Sequence, residues 1–145
     1  MTNRFDISPG ALSALVVDDE PRIREYLQEV IEEEGWKCVS VGSGDWAVEE
    51  VQRTLYDVVF LDLVMPGING PEVLIGIRAA APSTKVIIVT GYPDSALMMD
   101  ARRFQPDGLL IKPFGREELC AVLKGVADAR AGANSKVNHE GEGPL

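Results

Sequence analysis

Five short apolar runs, each followed by a longer amphipathic stretch, limit what this chain can fold into more than any other feature. The runs occupy residues 14–17, 38–41, 58–61, 86–89 and 109–111, the second being the weakest. Four of them are apolar throughout rather than at alternate positions, which requires a sheet covered on both faces. Strand and helix signals in strict alternation specify a parallel α/β sheet sandwiched between helices.

The intervening segments carry helical periodicity. Ile23, Tyr26, Leu27, Val30 and Ile31 fall at i, i+3, i+4, i+7 and i+8, with Pro21 in the first turn and Gly35 closing the helix. A second helix from about Gly44 places Val48, Val51 and Leu55 on one face. A third opens at Gly70 and Pro71 and buries Val73, Leu74 and Ile77, with Gly76 costing about 1 kcal/mol relative to alanine. The fourth, near residues 94–104, is the least regular, because Leu97, Met98 and Met99 are adjacent. The fifth runs from Arg116 to about Arg130 through Leu119, Val122, Leu123 and Val126. The expected organisation is a short extension over 1–11, one domain over 12–131, and a polar, glycine-rich disordered tail or linker over 132–145.

Composition narrows the function classes. Fourteen Lys and Arg against 23 Asp and Glu give a net charge of −9 over 145 residues, the wrong sign for neutralising nucleic-acid phosphates or an anionic membrane. No apolar stretch approaches the ~18 residues of a membrane span, and the first ten residues lack a signal-peptide layout, so a cytoplasmic location is expected. Cys38 and Cys120 read as two buried, reduced thiols. His139 lies in the polar tail and is given no chemical role, and Trp36, Trp46, Met98 and Met99 read as packing or surface residues.

Ligands of an open parallel sheet gather beyond the C-terminal strand ends. The residues there are Asp18, Asp19 and Glu20 after the first run, Asp62 after the third, Thr90 after the fourth, and Lys112 with Pro113 after the fifth. Crowded carboxylates repel one another unless a cation joins them, and a hard ion such as Mg²⁺ suits an all-oxygen set. The charges balance: −3 from Asp18, Asp19 and Asp62 against +2 from Mg²⁺ and +1 from Lys112. A carboxylate at a buried strand end can attack phosphorus, and the peripheral phosphoryl oxygens then need a metal, a cation and a hydroxyl donor. Asp62 is the central position and the best nucleophile candidate. Singly, these features are bland: an acidic run before a helix serves as a cap, and Met65-Pro66-Gly67 is a turn by composition. Their coincidence at consecutive strand ends favours a site.

The runs Val16 to Pro21, Phe60 to Gly67 with Gly70, Val89-Thr90-Gly91 and Lys112-Pro113-Phe114 resemble the receiver domain of two-component response regulators, in the family's order and over nearly the whole chain. The resemblance implies a flavodoxin-like (βα)5 fold with strand order 2-1-3-4-5. It also implies that Asp62 accepts phosphate from the phosphohistidine of a sensor histidine kinase or histidine phosphotransfer protein. Asp18, Asp19, Asp62 and the Val64 backbone carbonyl would hold Mg²⁺, and Thr90 and Lys112 would contact the phosphoryl group. A cis bond is implied before Pro113. The fourth helix, fifth strand and fifth helix would present a surface to a downstream protein, with a phosphorylation-dependent dimer as a further expectation. The chain departs from the family at Leu109, where an aromatic ring usually rotates on activation. Tyr92, or backbone shifts after Thr90, would have to take its place.

The expected role is therefore a switch that phosphorylates and dephosphorylates itself without external turnover. The alternatives are a relay intermediate passing phosphate to a histidine phosphotransfer protein, and an aspartate-nucleophile phosphatase. The latter commonly has a general acid two residues after the nucleophile, where this chain has Val64. A flavin module is disfavoured by acids where a phosphate loop belongs. A degenerate receiver is disfavoured because Asp62, Lys112 and the acidic pair are all present.

Overall fold

The structure is a computed structural model and describes residues 11–142. The elements follow as β1 (Ser13–Val17), α1 (Pro21–Glu33), β2 (Lys37–Val41), α2 (Gly44–Arg53), β3 (Val58–Asp62), α3 (Gly70–Ala80), β4 (Lys85–Thr90), α4 (Ala96–Arg102), β5 (Gly108–Ile111) and α5 (Arg116–Glu142). A small antiparallel ribbon pairs Val64–Met65 with Ile68–Asn69 in the loop after β3. The five strands are parallel in the order β2-β1-β3-β4-β5, as expected.

Alternate side chains of each strand point to opposite faces, and both faces are apolar. Leu15, Val17, Val59, Leu61, Val86 and Ile88 pack with Ala47, Val51, Leu74, Ile77, Met98 and Ala101 from α2, α3 and α4. Ala14, Val16, Val58, Phe60, Ile87 and Val89 pack on the other side with Leu27, Val30 and Ile31 of α1 and Leu119, Leu123 and Val126 of α5. That double burial is what the unbroken apolar runs encode.

Helix starts follow local chemistry. Ser43, Asn69 and Ser95 accept hydrogen bonds from the backbone N–H groups of Trp46, Glu72 and Met98 at 3.3, 3.2 and 3.1 Å. α1 instead begins with Pro21, and Glu20 makes no side-chain cap, so the acidic run is not spent on capping.

Several boundaries differ from the sequence reading. α2 ends at Arg53 and the backbone turns extended at Thr54, which leaves Leu55 exposed and buries Tyr56 in its place. α4 is shorter than expected, at Ala96–Arg102. α5 runs to Glu142 rather than ending near Arg130, so 132–142 of the expected tail are helical. Ala127, Ala129, Ala131 and Ala133 favour helix there, and no proline interrupts before Pro144. Residues 1–10 of the expected extension and 143–145 of the tail lie outside the described residues. Both cysteines are free; Cys38 is buried but Cys120 only half-buried, which corrects the expectation of two buried thiols.

The loop that follows Asp62 is packed closely against the start of α3. A Cβ placed on Gly70 would clash with the Leu63 carbonyl oxygen and lie 2.7 Å from its Cδ1. Gly70→Ala is therefore expected to destabilise the fold by roughly 1–3 kcal/mol in urea unfolding, with an unchanged m-value. A loss below about 0.5 kcal/mol, the level of an ordinary surface change, would show that the loop yields freely.

Candidate functional site

Four strand ends converge above the C-terminal edge of the sheet. Asp18, just past β1, is 1% exposed and Asp62, the last residue of β3, is 4% exposed. Asp19 is more open to solvent, and the three offer carboxylate oxygens that all lie within 4.8 Å of one another. An all-oxygen, triply acidic donor set of this kind fits a hard divalent cation.

Asp18 is held on every side. Its N–H donates to the Val41 carbonyl at 3.2 Å, and its own carbonyl accepts from Arg24 Nη1 at 2.6 Å. Its Oδ1 accepts the Glu20 N–H at 2.9 Å, and its Oδ2 accepts from Lys112 Nζ at 3.3 Å. Asp62 Oδ1 accepts the Val64 N–H at 3.1 Å, while its Oδ2 lies 3.5 Å from Lys112 Nζ. Burial, and then the neighbouring charge of Asp18, push the Asp62 carboxyl up to about 6, against the Val64 N–H and Lys112, which pull it down.

Lys112 follows β5, and its N–H donates to the Thr90 carbonyl at 2.8 Å. The bond to Pro113 is cis, as the resemblance implies. Its ammonium also reaches Glu20 Oε1 at 3.7 Å, so one cation serves three acids. Burial works against its charge, but Asp62, Asp18 and Glu20 outweigh that and hold it above the usual lysine range. Thr90 is buried at the end of β4, with its Oγ1 accepting the Tyr92 N–H at 3.0 Å.

Asp62, Lys112, Val64, Glu20 and Tyr92 line one cleft of about 630 Å³, together with Tyr26, Pro113 and Phe114. The structure thus brings Asp18, Asp19, Asp62 and Lys112 together directly. Val64 and Tyr92 lie at the rim, and Thr90 sits at the neighbouring strand end. Leu109 is half-buried and packs with Leu97 against the α2–α4 side of the core, whereas Tyr92 is 68% exposed.

Two features escaped sequence reasoning. Arg24 acts on a backbone carbonyl, which leaves no sequence signal. Asp57 and Asp107 clamp the opposite edge: Asp57 Oδ2 accepts from Ser13 N at 2.8 Å and Arg130 Nη1 at 3.1 Å, and Asp107 Oδ2 accepts from Val86 N at 2.8 Å and pairs with Arg78 at 3.0 Å. A polar residue just before a strand was the available hint.

The family model described as "Response regulator receiver domain" matches residues 14–124. The chain is 32% identical over 123 residues to the sensory transduction protein RegX3 of Mycolicibacterium smegmatis, covering 85% of this chain and 53% of that one. It thus spans about half the length of such curated relatives. In fold it is similar to a CheY-like response regulator receiver domain protein from Methanospirillum hungatei, with a TM-score of 0.80, 21% identity, and coverage of 86% of this chain and 99% of that one. It is also similar to the receiver domain of a sensor histidine kinase from Pseudomonas aeruginosa, solved with a magnesium ion coordinated in its active site cleft. There the TM-score is 0.75 and the identity 23%, with coverage of 82% and 99%. The family match spans the strand ends that carry Asp18, Asp62 and Thr90 together with Lys112, and with it the chain is placed among the response regulator receiver domains.

Proposed function

We propose that Asp62 accepts a phosphoryl group from the phosphohistidine of a sensor kinase or histidine phosphotransfer protein, and that the domain, a signalling switch by family, thereby changes the surface it presents to a partner. The observation that carries this reading is a nearly buried carboxylate flanked by a second acid and a shared lysine ammonium. An Asp62 oxygen attacks phosphorus, the P–N bond to the donor imidazole breaks, and the leaving nitrogen keeps the electron pair and takes up a proton. Lys112 and the Thr90 hydroxyl are the groups assigned to the phosphoryl oxygens.

Asp18, Asp19, Asp62 and the Val64 carbonyl are the assigned Mg²⁺ ligands, and the magnesium in the related Pseudomonas aeruginosa domain supports that assignment. When bound, the ion supplies positive charge to acids that otherwise repel one another. The phosphorylated form would return to rest by its own hydrolysis, without turnover of an external substrate. The surface of α4, β5 and α5 is assigned to the downstream protein or to a second copy of the phosphorylated domain. No described helix is long and apolar enough to cross a membrane, and the proposed place of action is the cytoplasm.

The test is incubation with a small phosphodonor such as acetyl phosphate, followed by intact-mass measurement with Mg²⁺ and with a chelator. One phosphoryl adduct is expected with Mg²⁺ and none with chelator. Absence of the adduct in Mg²⁺, or equal labelling in both, would overturn the reading.

A further inference from the structure

We infer that Arg24 is a positioning residue that fixes the peptide plane between Asp18 and Asp19 and so sets the geometry of the acidic pair; the inference rests on the metal assignment proposed above. The Asp18 carbonyl that Arg24 Nη1 reaches at 2.6 Å belongs to the peptide unit joining the two acids. A peptide unit is planar, so holding its oxygen orients both Cα atoms and hence the starting direction of both carboxylates. The Asp18 N–H is held by Val41 and its carboxylate by the Glu20 N–H and Lys112. Arg24 therefore supplies the constraint on the one remaining polar group of Asp18.

Room for this contact comes from a second element. The guanidinium lies over Gly42, directly after β2, where a Cβ would stand 3.1 Å from Nη1 and 3.6 Å from Cζ. The backbone of Gly42 is not in the left-handed region, so the absent side chain serves space rather than conformation. Arg24 from α1, Asp18 after β1 and Gly42 after β2 thus form one contact unit behind the acidic cluster.

Charge and positioning predict opposite signs. If Arg24 acted only through its charge, its removal would relieve repulsion of a cation and tighten Mg²⁺ binding. If it acts by position, removal loosens the acidic pair and weakens binding, on the order of tenfold for lost outer contacts of a metal site. The experiment is calorimetric titration of the full chain with MgCl₂, alongside amide shift changes for the residues around Asp18. Arg24→Gln is expected to weaken Mg²⁺ about tenfold, and Arg24→Lys, which keeps a donor, to recover most of that loss. Gly42→Val should weaken binding in the same direction by displacing the guanidinium, and adding it to Arg24→Gln should bring little further loss. Unchanged or tighter binding in Arg24→Gln, or full additivity of the two changes, overturns the inference. If Arg24→Gln does not fold, unchanged binding in Gly42→Val overturns it alone. Failure of the wild-type chain to bind Mg²⁺ would instead remove the metal assignment, and the inference with it.

Discussion

Asp62→Asn is expected to take up no phosphoryl group from a small donor in Mg²⁺, a complete loss in the intact-mass measurement, because an amide is not a competent oxygen nucleophile. The same substitution is expected to stabilise the metal-free protein at neutral pH. The folded state raises the Asp62 carboxyl from 3.8 to about 6, so between those values it binds more protons than the unfolded chain. Stability contributed by the protonated acid is present below about pH 4 and is lost as the pH rises through about 6. Asparagine has no such proton to lose. Urea midpoints in chelator should therefore favour Asp62→Asn at pH 7 and converge on the wild type near pH 4. Wild type the more stable at both values would contradict the electrostatic account of the site. Added Mg²⁺ should narrow or reverse the difference, because an ion that binds only the folded wild type stabilises it by mass action.

Lys112→Ala is expected to separate the two proposed functions of the cleft, phosphoryl acceptance and Mg²⁺ binding. The ammonium contacts Asp18, Glu20 and Asp62 within 3.3 to 3.7 Å and stays charged through neutral pH. Without it, the charge developing on the transferred group loses a preorganised partner, and labelling at saturating Mg²⁺ should slow by about 10²- to 10³-fold. Mg²⁺ itself should bind more tightly, since a competing cation has left a cluster of acids. Timed mass measurements and calorimetry read these separately. Parallel loss of labelling and of Mg²⁺ affinity would mean that Lys112 mainly holds the loop in shape.

The fold was legible wherever burial alone dictates sequence. Phe60 and Leu61 are adjacent and both fully buried because β3 lies mid-sheet with helices on both sides, and an unbroken apolar run states that directly. Helix ends were less legible, because they depend on local hydrogen bonds competing with periodicity. Leu55 continues the helical spacing of Val48 and Val51, yet the chain turns extended at Thr54 and buries Tyr56, whose hydroxyl donates to Glu50 at 2.6 Å. The fifth helix runs past Arg130 because the alanines at 127, 129, 131 and 133 and the absence of proline before Pro144 sustain it through a polar, glycine-bearing stretch.

By itself the sequence determined the alternating architecture, the strand ends that carry chemistry, and the presence there of four acids, a hydroxyl and a lysine. A parallel sheet gathers whatever follows its strands at one edge, so order along the chain sufficed. The tertiary structure decided which of those groups touch. Lys112 is shared among three acids, Thr90 meets the Tyr92 N–H, and Leu109 packs inward while Tyr92 stands in solvent. It also decided the Arg24 contact, because that bond runs to a backbone carbonyl that every residue possesses. Chemistry carried by side chains can be read in order along the chain, but chemistry carried by main-chain atoms appears only once the chain is folded.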